Sequence, residues 1–478
     1  MRLLDSPVVR SVVHVPPTIR LDELLTAVGG RLSGSTSVTT FSGASVDSRR
    51  VTPSSLFVAL RGERTDGHLH VVDAVRAGVS AALVDRPMEL PDDLDAALVV
   101  VPDTLVALQE LAAWWRFRHA ARVVGITGST GKTIAKELTA DVLARSFRTL
   151  RNEGNLNSET GLPMTLLRLE PAHEVAVLEM SMYTVGEIAR LAEIARPEVG
   201  VVLAVHPTHL ERAGSIDRIA RAKAELPEAL PADGLAVLNA DDARVAAMRS
   251  VTAATTWTFG LGPDADVRAD EVVSLGVAGT EFTFHAPWGV RRLRSATPGR
   301  HLVPHALAAA AVAEWLGEPL DEVAAALEAG SSAPHRMAIH EGTSGATIVD
   351  DTYNASPVSV AAALDFLAET PVRPGRRRIA VLGDMLELGP DEERLHRQVG
   401  DHAGRTADVI VAVGPRGAWI AEGARGGAAI VVEASDAPEA AMLIERDVVP
   451  APGDLVLLKA SRGIELDRAV DVLLGSPR

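Results

Sequence analysis

The middle of the chain alternates short apolar runs with amphipathic stretches. The runs at 175–178, 199–205 and 235–238 are rich in β-branched residues, as strands buried on both faces are. Between them, apolar residues recur at helical spacing, as at 216–226. The alternation predicts a largely parallel sheet covered by helices over 121–332, with ligands bound beyond the carboxyl ends of its strands.

The pattern changes on either side of this stretch. Residues 1–120 mix short strands with helices, and residues 333–478 alternate strand and helix again, so we predict three α/β domains with boundaries at 120 and 332. The predicted helices of the first domain are 21–28, 71–77 and 105–118, and its predicted strands are 56–60 and 81–84. The predicted strands of the third domain are 347–349, 379–382, 409–413 and 455–458.

Polar residues follow several of these predicted strands directly. Glu179 follows one strand of the middle domain, and the segment 206–211 follows another. The segments 350–354, 383–384 and 459–462 occupy the same position in the third domain. Because ligands bind beyond the carboxyl ends of parallel strands, these residues are candidates for a functional site.

A glycine-rich loop between a strand and a helix is the strongest local signal. The apolar run 123–126 breaks into Thr-Gly-Ser-Thr-Gly, and a helical pattern starts at Lys132. In such a loop, successive backbone N–H groups and the helix N-terminus point at a polyphosphate. We therefore expect Lys132 to neutralise terminal phosphates and the Thr133 hydroxyl to bind Mg²⁺. The alternative is a glycine-rich turn before an ordinary helix. The predicted nucleotide-binding residues of the loop are Gly128, Ser129, Thr130, Gly131, Lys132 and Thr133.

Charge and composition exclude several kinds of protein. A net charge of −16 argues against a nucleic-acid-binding surface, which needs a basic stripe. The absence of cysteine excludes disulfides, thiolate zinc sites and cysteine nucleophiles, so a metal would bind to oxygen or imidazole. Neither a membrane-length apolar run nor a signal-peptide pattern over 1–17 is present. We expect a cytoplasmic monomer without nucleic-acid partners or membrane insertion.

Further motifs are spread over the chain between Asp47 and Arg462. They are Asn155-Leu-Asn157, Gly161-Leu-Pro163, Glu179-Met180, His209-Leu-Glu211, Ala222-Lys223, Asn239-Ala-Asp-Asp242, Gly299-Arg-His301, His335-Arg-Met337, 350–354 and 383–389. Together with the phosphate loop, they closely resemble the motifs of the Mur ligases, ATP-dependent enzymes that form amide bonds in peptidoglycan synthesis. The resemblance implies an N-terminal domain that binds the UDP-sugar peptide, a central P-loop ATPase domain with a parallel sheet, and a Rossmann-like C-terminal ligase domain.

Two segments indicate which member of this family the chain resembles. The segment 383–389 resembles the member that adds a dipeptide, and the Asp-Asn-Pro-Arg motif of the diaminopimelate or lysine adder is missing. The pattern Asp47-Ser-Arg49 with Asp66-Gly-His68 is similar to the uridine-nucleotide-binding domain. The resemblance therefore implies UDP-N-acetylmuramoyl-tripeptide, D-alanyl-D-alanine and ATP as substrates and Mg²⁺ as cofactor. It places the UDP end at Ser48 and Arg49.

The same resemblance assigns catalytic roles to Lys132, Glu179, His209 and Lys223. The γ-phosphate of ATP would pass to a substrate carboxylate, so positive groups must bring two anions together. Glu179 and Thr133 would hold one Mg²⁺, and His209 would help to hold a second. Lys223 would be carbamylated by CO₂ and join the metal site as an anion. From the residues alone, a histidine after a strand is usually a core or capping residue, and a lysine on a helix is usually solvated.

The resemblance also implies further residues that bind the nucleotide and the ligase substrates. Arg336 would reach the ATP phosphates from the third domain, and catalysis should need closure of that domain on the second. The implied nucleotide-binding residues outside the loop are His301, His305, Arg336 and Asp351. The implied substrate-binding residues are Ser48, Arg49, Asn155, Asn157, Asn354 and Asp384.

Several positions depart from the family pattern. Leu302 and His305 stand where the pattern has asparagines that recognise adenine, and leucine can neither donate nor accept a hydrogen bond. Leu203-Ala204 replaces a Thr-Asn pair, and Tyr183 replaces an asparagine. Because the phosphate-handling residues all remain, we expect an ATP user with an altered base site.

Three alternatives to the dipeptide-adding ligase follow. The first is a divergent ligase of the same family that joins a different amino acid or peptide, which substrate profiling would identify. The second is an inactive nucleotide-binding paralogue, which would bind ATP without substrate-dependent phosphate release. The third is a P-loop kinase or switch NTPase, which leaves the resemblance of the third domain unexplained.

Overall fold

The computed structural model describes residues 17–62, 65–207, 210–330, 333–427 and 429–475. The chain forms two compact units. The first comprises residues up to Ala120 together with Glu159–His173, and the second comprises Ala121–Ser158 and the chain from Glu174 onwards. The predicted α/β class is confirmed, and the domain boundaries at 120 and 332 stay predictions.

The first unit is built on a small and mostly parallel sheet. In spatial order its described strands are Arg31–Leu32, Ala97–Val100, Ala81–Val84, Leu56–Val58 and Ala44–Ser45, of which Arg31–Leu32 is antiparallel to its neighbour. A separate antiparallel ladder joins Thr18–Arg20 and Thr40–Ser42. The helices are Leu21–Val28, Val71–Arg76, Thr104–Phe117 and Gly161–Leu166, with 3₁₀ turns at Ser48–Arg50 and Gly67–His70. The helices and strands predicted for this region are confirmed, although the strand predicted over 56–60 ends at Val58.

Local chemistry explains where these helices begin and end. The side chain of Asp103 accepts hydrogen bonds from the N–H groups of Leu105 and Val106, which starts the helix that follows. Gly29 adopts the left-handed conformation, with φ of 57°, and ends the first helix.

The second unit begins with a long sheet that is parallel over most of its width. In spatial order its described strands are Gly289–Ser295, Thr280–Ala286, Val267–Ser274, Thr255–Gly260, Leu235–Asn239, Val199–Val202, Arg122–Thr127, Val175–Glu179 and Thr149–Arg151. The main helices around it are Lys132–Leu143, Glu187–Ala195, Ile216–Glu228, Val303–Leu316 and Leu320–Ala329. The predicted parallel strands are confirmed, although the strand predicted over 199–205 ends at Val202.

Sequence periodicity left the edge of this sheet out. The last three strands from Val267 to Ser295 pair antiparallel and form an edge meander, in which apolar residues alternate with polar ones. The helix Ile216–Glu228 ends one residue after Pro227. Pro227 lies in its last turn, where its missing N–H costs only the bond to the carbonyl of Lys223.

A second sheet follows in the same unit. In spatial order its described strands are Ala338–Glu341, Thr347–Asp350, Leu455–Lys459, Arg378–Gly383, Val409–Val413 and Ile430–Ala434, and only Ala338–Glu341 is antiparallel to its neighbour. Its helices are Pro357–Glu369, Glu392–Thr406, Gly417–Ala424, Ala437–Leu443 and Asp467–Leu473. The strands predicted for this region are confirmed to within one residue.

Strand register brings the predicted polar ends together. Glu179 pairs with Ile126, and Val202 pairs with Thr127, so the phosphate loop, Glu179 and Leu203 leave the long sheet at one edge. Among the residues described, no helix is both long and apolar enough to span a bilayer.

Candidate active site

The phosphate loop connects the strand Arg122–Thr127 to the helix Lys132–Leu143. Gly131 has a φ of 79°, which favours glycine, and directly precedes the helix. The ammonium of Lys132 donates to the carbonyl of Gly128 at 2.8 Å. Burial lowers the pKa of Lys132, although the nearby Glu179 carboxylate opposes that shift. The loop therefore combines a helix N-terminus with a cation, which suits a bound phosphate.

Glu179 lies next to the start of this helix. The Thr133 hydroxyl donates to one carboxylate oxygen of Glu179 at 3.0 Å, and the Asn157 amide donates to the other at 2.6 Å. Glu179 is buried, with 2% of its surface exposed. Asn157 is held in turn by Ser181, whose hydroxyl donates to the Asn157 amide oxygen at 3.0 Å. The predicted metal ligands Thr133 and Glu179 thus lie together.

Arg336 reaches this group from the chain segment before the second sheet. Its guanidinium donates to the Thr133 hydroxyl at 3.1 Å and lies 4.2 Å from the ring centroid of Tyr353. His335 and Met337 on either side have φ of 56° and 53°, a conformation that is uncommon for residues other than glycine. The strained backbone presents Arg336 to the phosphate loop.

These groups line a cavity of about 380 Å³, which we call the Glu179 cavity. It contains the predicted substrate residues Asn155, Asn157 and Asn354. Its lining consists of 129–133, Asn155, Asn157, Glu179, 181–183, Arg336, 353–356, Ser359, 386–388 and 461–463.

A second cavity of about 220 Å³ shares Thr130, Gly131 and Arg336 with the first, and we call it the histidine cavity. A Cβ atom added to Gly131 would overlap Nε2 of His305, so glycine is required here by space as well as by φ. Burial lowers the pKa of both His301 and His305 to about 4, so both are neutral at pH 7. The residues lining it include Thr130, Gly131, 203–204, His206, Asn239, Phe259, 301–302, His305, 336–337, Asp351 and Lys459.

Asp351 forms a buried ion pair in the wall of the histidine cavity. Lys459 donates to the Asp351 carboxylate at 2.5 Å and to the carbonyl of Asn354 at 2.9 Å. The side chain of Lys459 is 2% exposed, and burial lowers its pKa although Asp351 opposes the shift. Lys459 therefore fixes both Asp351 and the main chain at Asn354.

Asp384 does not line either of these cavities. One of its carboxylate oxygens accepts from the backbone N–H of Arg416 at 2.9 Å, and the other accepts from the Arg416 guanidinium at 3.4 Å. Its carbonyl accepts from the N–H of Ser461 at 3.0 Å. The predicted substrate residue thus ties three segments together, and its neighbours Leu386 to Leu388 line the Glu179 cavity instead.

Two of the predicted catalytic residues remain, Lys223 and His209. Lys223 is 3% exposed, and burial followed by repulsion from Lys132 keeps its pKa well below the usual range. His209 lies outside the described residues. Within the described ranges, no three acidic or histidine side chains cluster as a metal site would require.

Ser48 and Arg49 belong to the first unit. They lie in the 3₁₀ turn Ser48–Arg50, which the Asp47 side chain caps through the N–H of Arg49. The Arg49 guanidinium pairs with Asp47 at 2.8 Å, and its hydrogen bond is the main reason that the pKa of Asp47 falls to about 2. Arg49 is exposed and available to an anion.

Sequence reasoning missed two buried residues, Lys136 and Asn152, and assigned no individual role to Lys459 within the segment 459–462. The scarcity of lysine is a signal that would have singled out Lys136 and Lys459. The chain has 43 arginines but only four lysines, at 132, 136, 223 and 459. Lys136, Lys223 and Lys459 are buried, and Lys132 is partly buried in the phosphate loop. The chain therefore uses arginine on its surface and lysine in and around the candidate site.

Comparison with known families covers most of the chain. The Mur ligase middle domain matches residues 126–313, and the Mur ligase glutamate ligase domain matches 335–462. The model described as the Mur ligase family catalytic domain matches residues 40–116.

Similar proteins and structures extend over nearly the full length. The UDP-N-acetylmuramoyl-tripeptide–D-alanyl-D-alanine ligase of Escherichia coli K12 is 36% identical over 461 residues, covering 95% of this chain and 98% of that protein. A crystal structure of MurF from Acinetobacter baumannii has a TM-score of 0.87 at 32% identity, covering 97% of this chain and 100% of that one. MurF ligase from Thermotoga maritima in complex with ADP has a TM-score of 0.77 at 29% identity, covering 91% and 97% of the two chains.

Proposed function

This chain belongs to the Mur ligase family, and we propose that it joins D-alanyl-D-alanine to UDP-N-acetylmuramoyl-tripeptide with the cleavage of ATP to ADP and phosphate. The observation that carries the proposal is the convergence of Lys132, Thr133, Glu179 and Arg336 on one cavity that also contains Asn155 and Asn157. The similarity to the UDP-N-acetylmuramoyl-tripeptide–D-alanyl-D-alanine ligase of Escherichia coli K12, over 95% of the chain, supports the choice of substrates.

The proposed reaction has two steps. A carboxylate oxygen of the tripeptide attacks the γ-phosphorus of ATP, the bond to ADP breaks, and an acyl phosphate forms. The amine of D-alanyl-D-alanine then attacks the acyl carbon and loses a proton, and phosphate leaves with the former carboxylate oxygen. Both steps bring anions together or develop negative charge, so fixed positive groups should lower the barrier.

The residues of the Glu179 cavity fit this requirement. Lys132, the helix N-terminus and Arg336 line one cavity, and we expect the first two to bind the β- and γ-phosphates and Arg336 to offset charge on the transferred group. Among the residues that the structure describes, the Lys132 ammonium donates only to the Gly128 carbonyl, so it can turn to a phosphate oxygen. Asn155, Asn157 and Asn354 are proposed to orient the two substrates.

The donor set near the phosphate loop fits Mg²⁺. The Thr133 hydroxyl and the Glu179 carboxylate are oxygen ligands 3.0 Å apart, and Mg²⁺ prefers oxygen ligands together with phosphate oxygens. When bound there, the ion would neutralise phosphate charge. His209 is proposed to contribute to a second ion.

Lys223 is proposed to carry a carbamate. Its burial and its proximity to Lys132 favour the neutral amine, which is the form that adds to CO₂ with loss of a proton. Protein prepared in ¹³C-bicarbonate should show a carbamate resonance that a Lys223→Gln variant lacks. Parent and variant spectra that coincide would contradict the modification.

Phosphate release by the purified protein with ATP and Mg²⁺ tests the function. We expect release only when both UDP-N-acetylmuramoyl-tripeptide and D-alanyl-D-alanine are present, with the pentapeptide product in the mass spectrum. Release with another amine in place of D-alanyl-D-alanine would indicate a ligase of different specificity. ADP binding without any substrate-dependent release would indicate an inactive paralogue. The cytoplasmic location and the monomeric state stay predictions.

A further inference from the structure

We propose that Lys136 and Asn152 are positioning residues of the active site, through which the phosphate-loop helix fixes the place of Glu179. The proposal rests on the proposed function in one respect, that Glu179 holds the metal ion of a bound nucleotide. Neither Lys136 nor Asn152 lines the Glu179 cavity, so both would act through other residues.

Asn152 holds Glu179 by its main chain. The Asn152 amide oxygen accepts from the N–H of Glu179 at 3.0 Å, and its amide nitrogen donates to the carbonyl of Glu179 at 3.2 Å. The same nitrogen donates to the carbonyl of Leu156 at 2.8 Å. Asn152 is fully buried, so its polar atoms have these partners in place of water. One side chain therefore fixes Glu179 at the end of its strand and closes the loop 152–157.

Lys136 holds Asn152 from the helix. Its ammonium donates to the carbonyl of Asn152 at 2.6 Å and pairs with Glu137 at 2.6 Å. Lys136 lies four residues, about one helical turn, after Lys132, so the phosphate loop and this anchor belong to one rigid element. The loop 152–157 also carries Asn157, which contacts the Glu179 carboxylate. Helix, loop and strand end are thereby tied at a single buried point.

Folding stability alone does not explain why position 136 carries a lysine. A fully buried ammonium must be desolvated, and buried ion pairs replaced by apolar side chains of similar size are often as stable or more so. The chain has arginine at 43 of its 47 lysine and arginine positions and lysine at only four. A lysine kept at a fully enclosed position fits a requirement for a slender donor aimed at one carbonyl.

The effect of Mg²⁺ on ADP affinity tests the proposal without any ligase substrate. Lys136→Met removes the ammonium at nearly constant length, and Asn152→Asp keeps the shape but replaces the amide donor by an anion. In both variants we expect the tightening of ADP binding by Mg²⁺ to fall by about 10- to 100-fold, as is typical when a partner of a metal ligand is changed. ADP affinity in the absence of Mg²⁺ should stay at the parent value.

A control variant from the same ion-pair network separates positioning from folding. Arg151 pairs with Glu137 at 2.8 Å and with Asp141 at 2.6 Å. Arg151→Met should lower the melting temperature but leave the Mg²⁺ effect unchanged. Hydrogen exchange of the segment 152–157 should accelerate in Lys136→Met and not in the control.

Three results would overturn the proposal. One is a parental Mg²⁺ effect in Asn152→Asp, which decides the matter even if Lys136→Met does not fold. Another is an equal loss in Arg151→Met. A parent protein that binds ADP without any response to Mg²⁺ would remove the metal site and this proposal together, whereas failed ligation with an intact Mg²⁺ effect would contradict only the substrates proposed above.

Discussion

The Glu179 cavity and the histidine cavity share a wall formed by Thr130, Gly131, Arg336 and Ser359, yet their chemistry differs. The first presents charged groups on the phosphate loop and on Glu179. The second presents two neutral histidines, Leu302 and Phe259, and its charges at Asp351 and Lys459 are paired with each other. Phosphate chemistry requires fixed charge, whereas a neutral base is held by shape and a few hydrogen bonds. We therefore expect changes in the first cavity to abolish turnover and changes in the second to tune nucleotide choice.

The largest effect is expected from Lys132→Ala. The variant removes the cation at the phosphate loop, so kcat/KM should fall by about 10³-fold or more. Steady-state phosphate release with both ligase substrates measures the loss, and circular dichroism checks the fold. A variant within tenfold of the parent would mean that the loop does not act on the transferred phosphate.

A smaller but still large loss is expected from Arg336→Lys. Lysine keeps the charge but cannot stack on Tyr353 while donating to Thr133, so kcat should fall by about 10²-fold. Tyr353→Phe keeps the stacked ring and serves as the control, with turnover near that of the parent. A loss in Tyr353→Phe equal to that in Arg336→Lys would indicate that the Tyr353 hydroxyl contributes as much as the guanidinium.

The histidine cavity should make stability depend on pH. His301 and His305 have pKa values of about 4, below the usual 6.5, so the folded state binds fewer protons than the unfolded state between these values. Their contribution to the unfolding free energy is present above pH 6.5 and is lost as the pH falls through 4, by at most about 3 kcal/mol for each histidine. Thermal unfolding of the parent and of His305→Gln at pH 7 and 4.5 measures this, and the variant should lose less stability on acidification. Parallel losses would contradict a neutral, enclosed His305.

The smallest effect is expected from His305→Asn. It changes a side chain of the histidine cavity without touching charge at the phosphates, so kcat should stay near the parent value. The ratio of kcat/KM for ATP to that for GTP should change by about tenfold or less, since a single hydrogen bond of about 1 kcal/mol is exchanged. A large loss of kcat would contradict the expected difference in role between the two cavities.

The two cavities also differ in how well the sequence predicts them. The phosphate loop is a contiguous motif whose conformation follows from its glycines, and Glu179 follows its strand directly, so their meeting at one sheet edge is predictable. The histidine cavity gathers 203–206, Asn239, 301–305 and Lys459, and no local pattern states that these segments meet. Its neutral histidines depend on burial, which appears only in the folded chain.

The strands of the fold likewise differ in how well the sequence predicts them. Buried strands such as Val409–Val413 are continuous apolar runs and were predictable, whereas the edge meander from Val267 to Ser295 is half exposed and reads as irregular. At Asp384 the local pattern leaves out a long-range contact. Asp384 follows a strand, as predicted, and its carboxylate accepts hydrogen bonds from Arg416, a residue that is distant in sequence; its role at the substrate stays a prediction.

The acyl-phosphate route is tested most directly by following oxygen. UDP-N-acetylmuramoyl-tripeptide labelled with ¹⁸O in the carboxylate that becomes the amide is incubated with ATP, Mg²⁺ and D-alanyl-D-alanine, and the released phosphate is analysed by mass spectrometry. We expect one ¹⁸O atom in each phosphate formed together with pentapeptide, because the oxygen leaves with the phosphoryl group. Phosphate without the label would show that ATP is cleaved by water and would contradict the ligase mechanism.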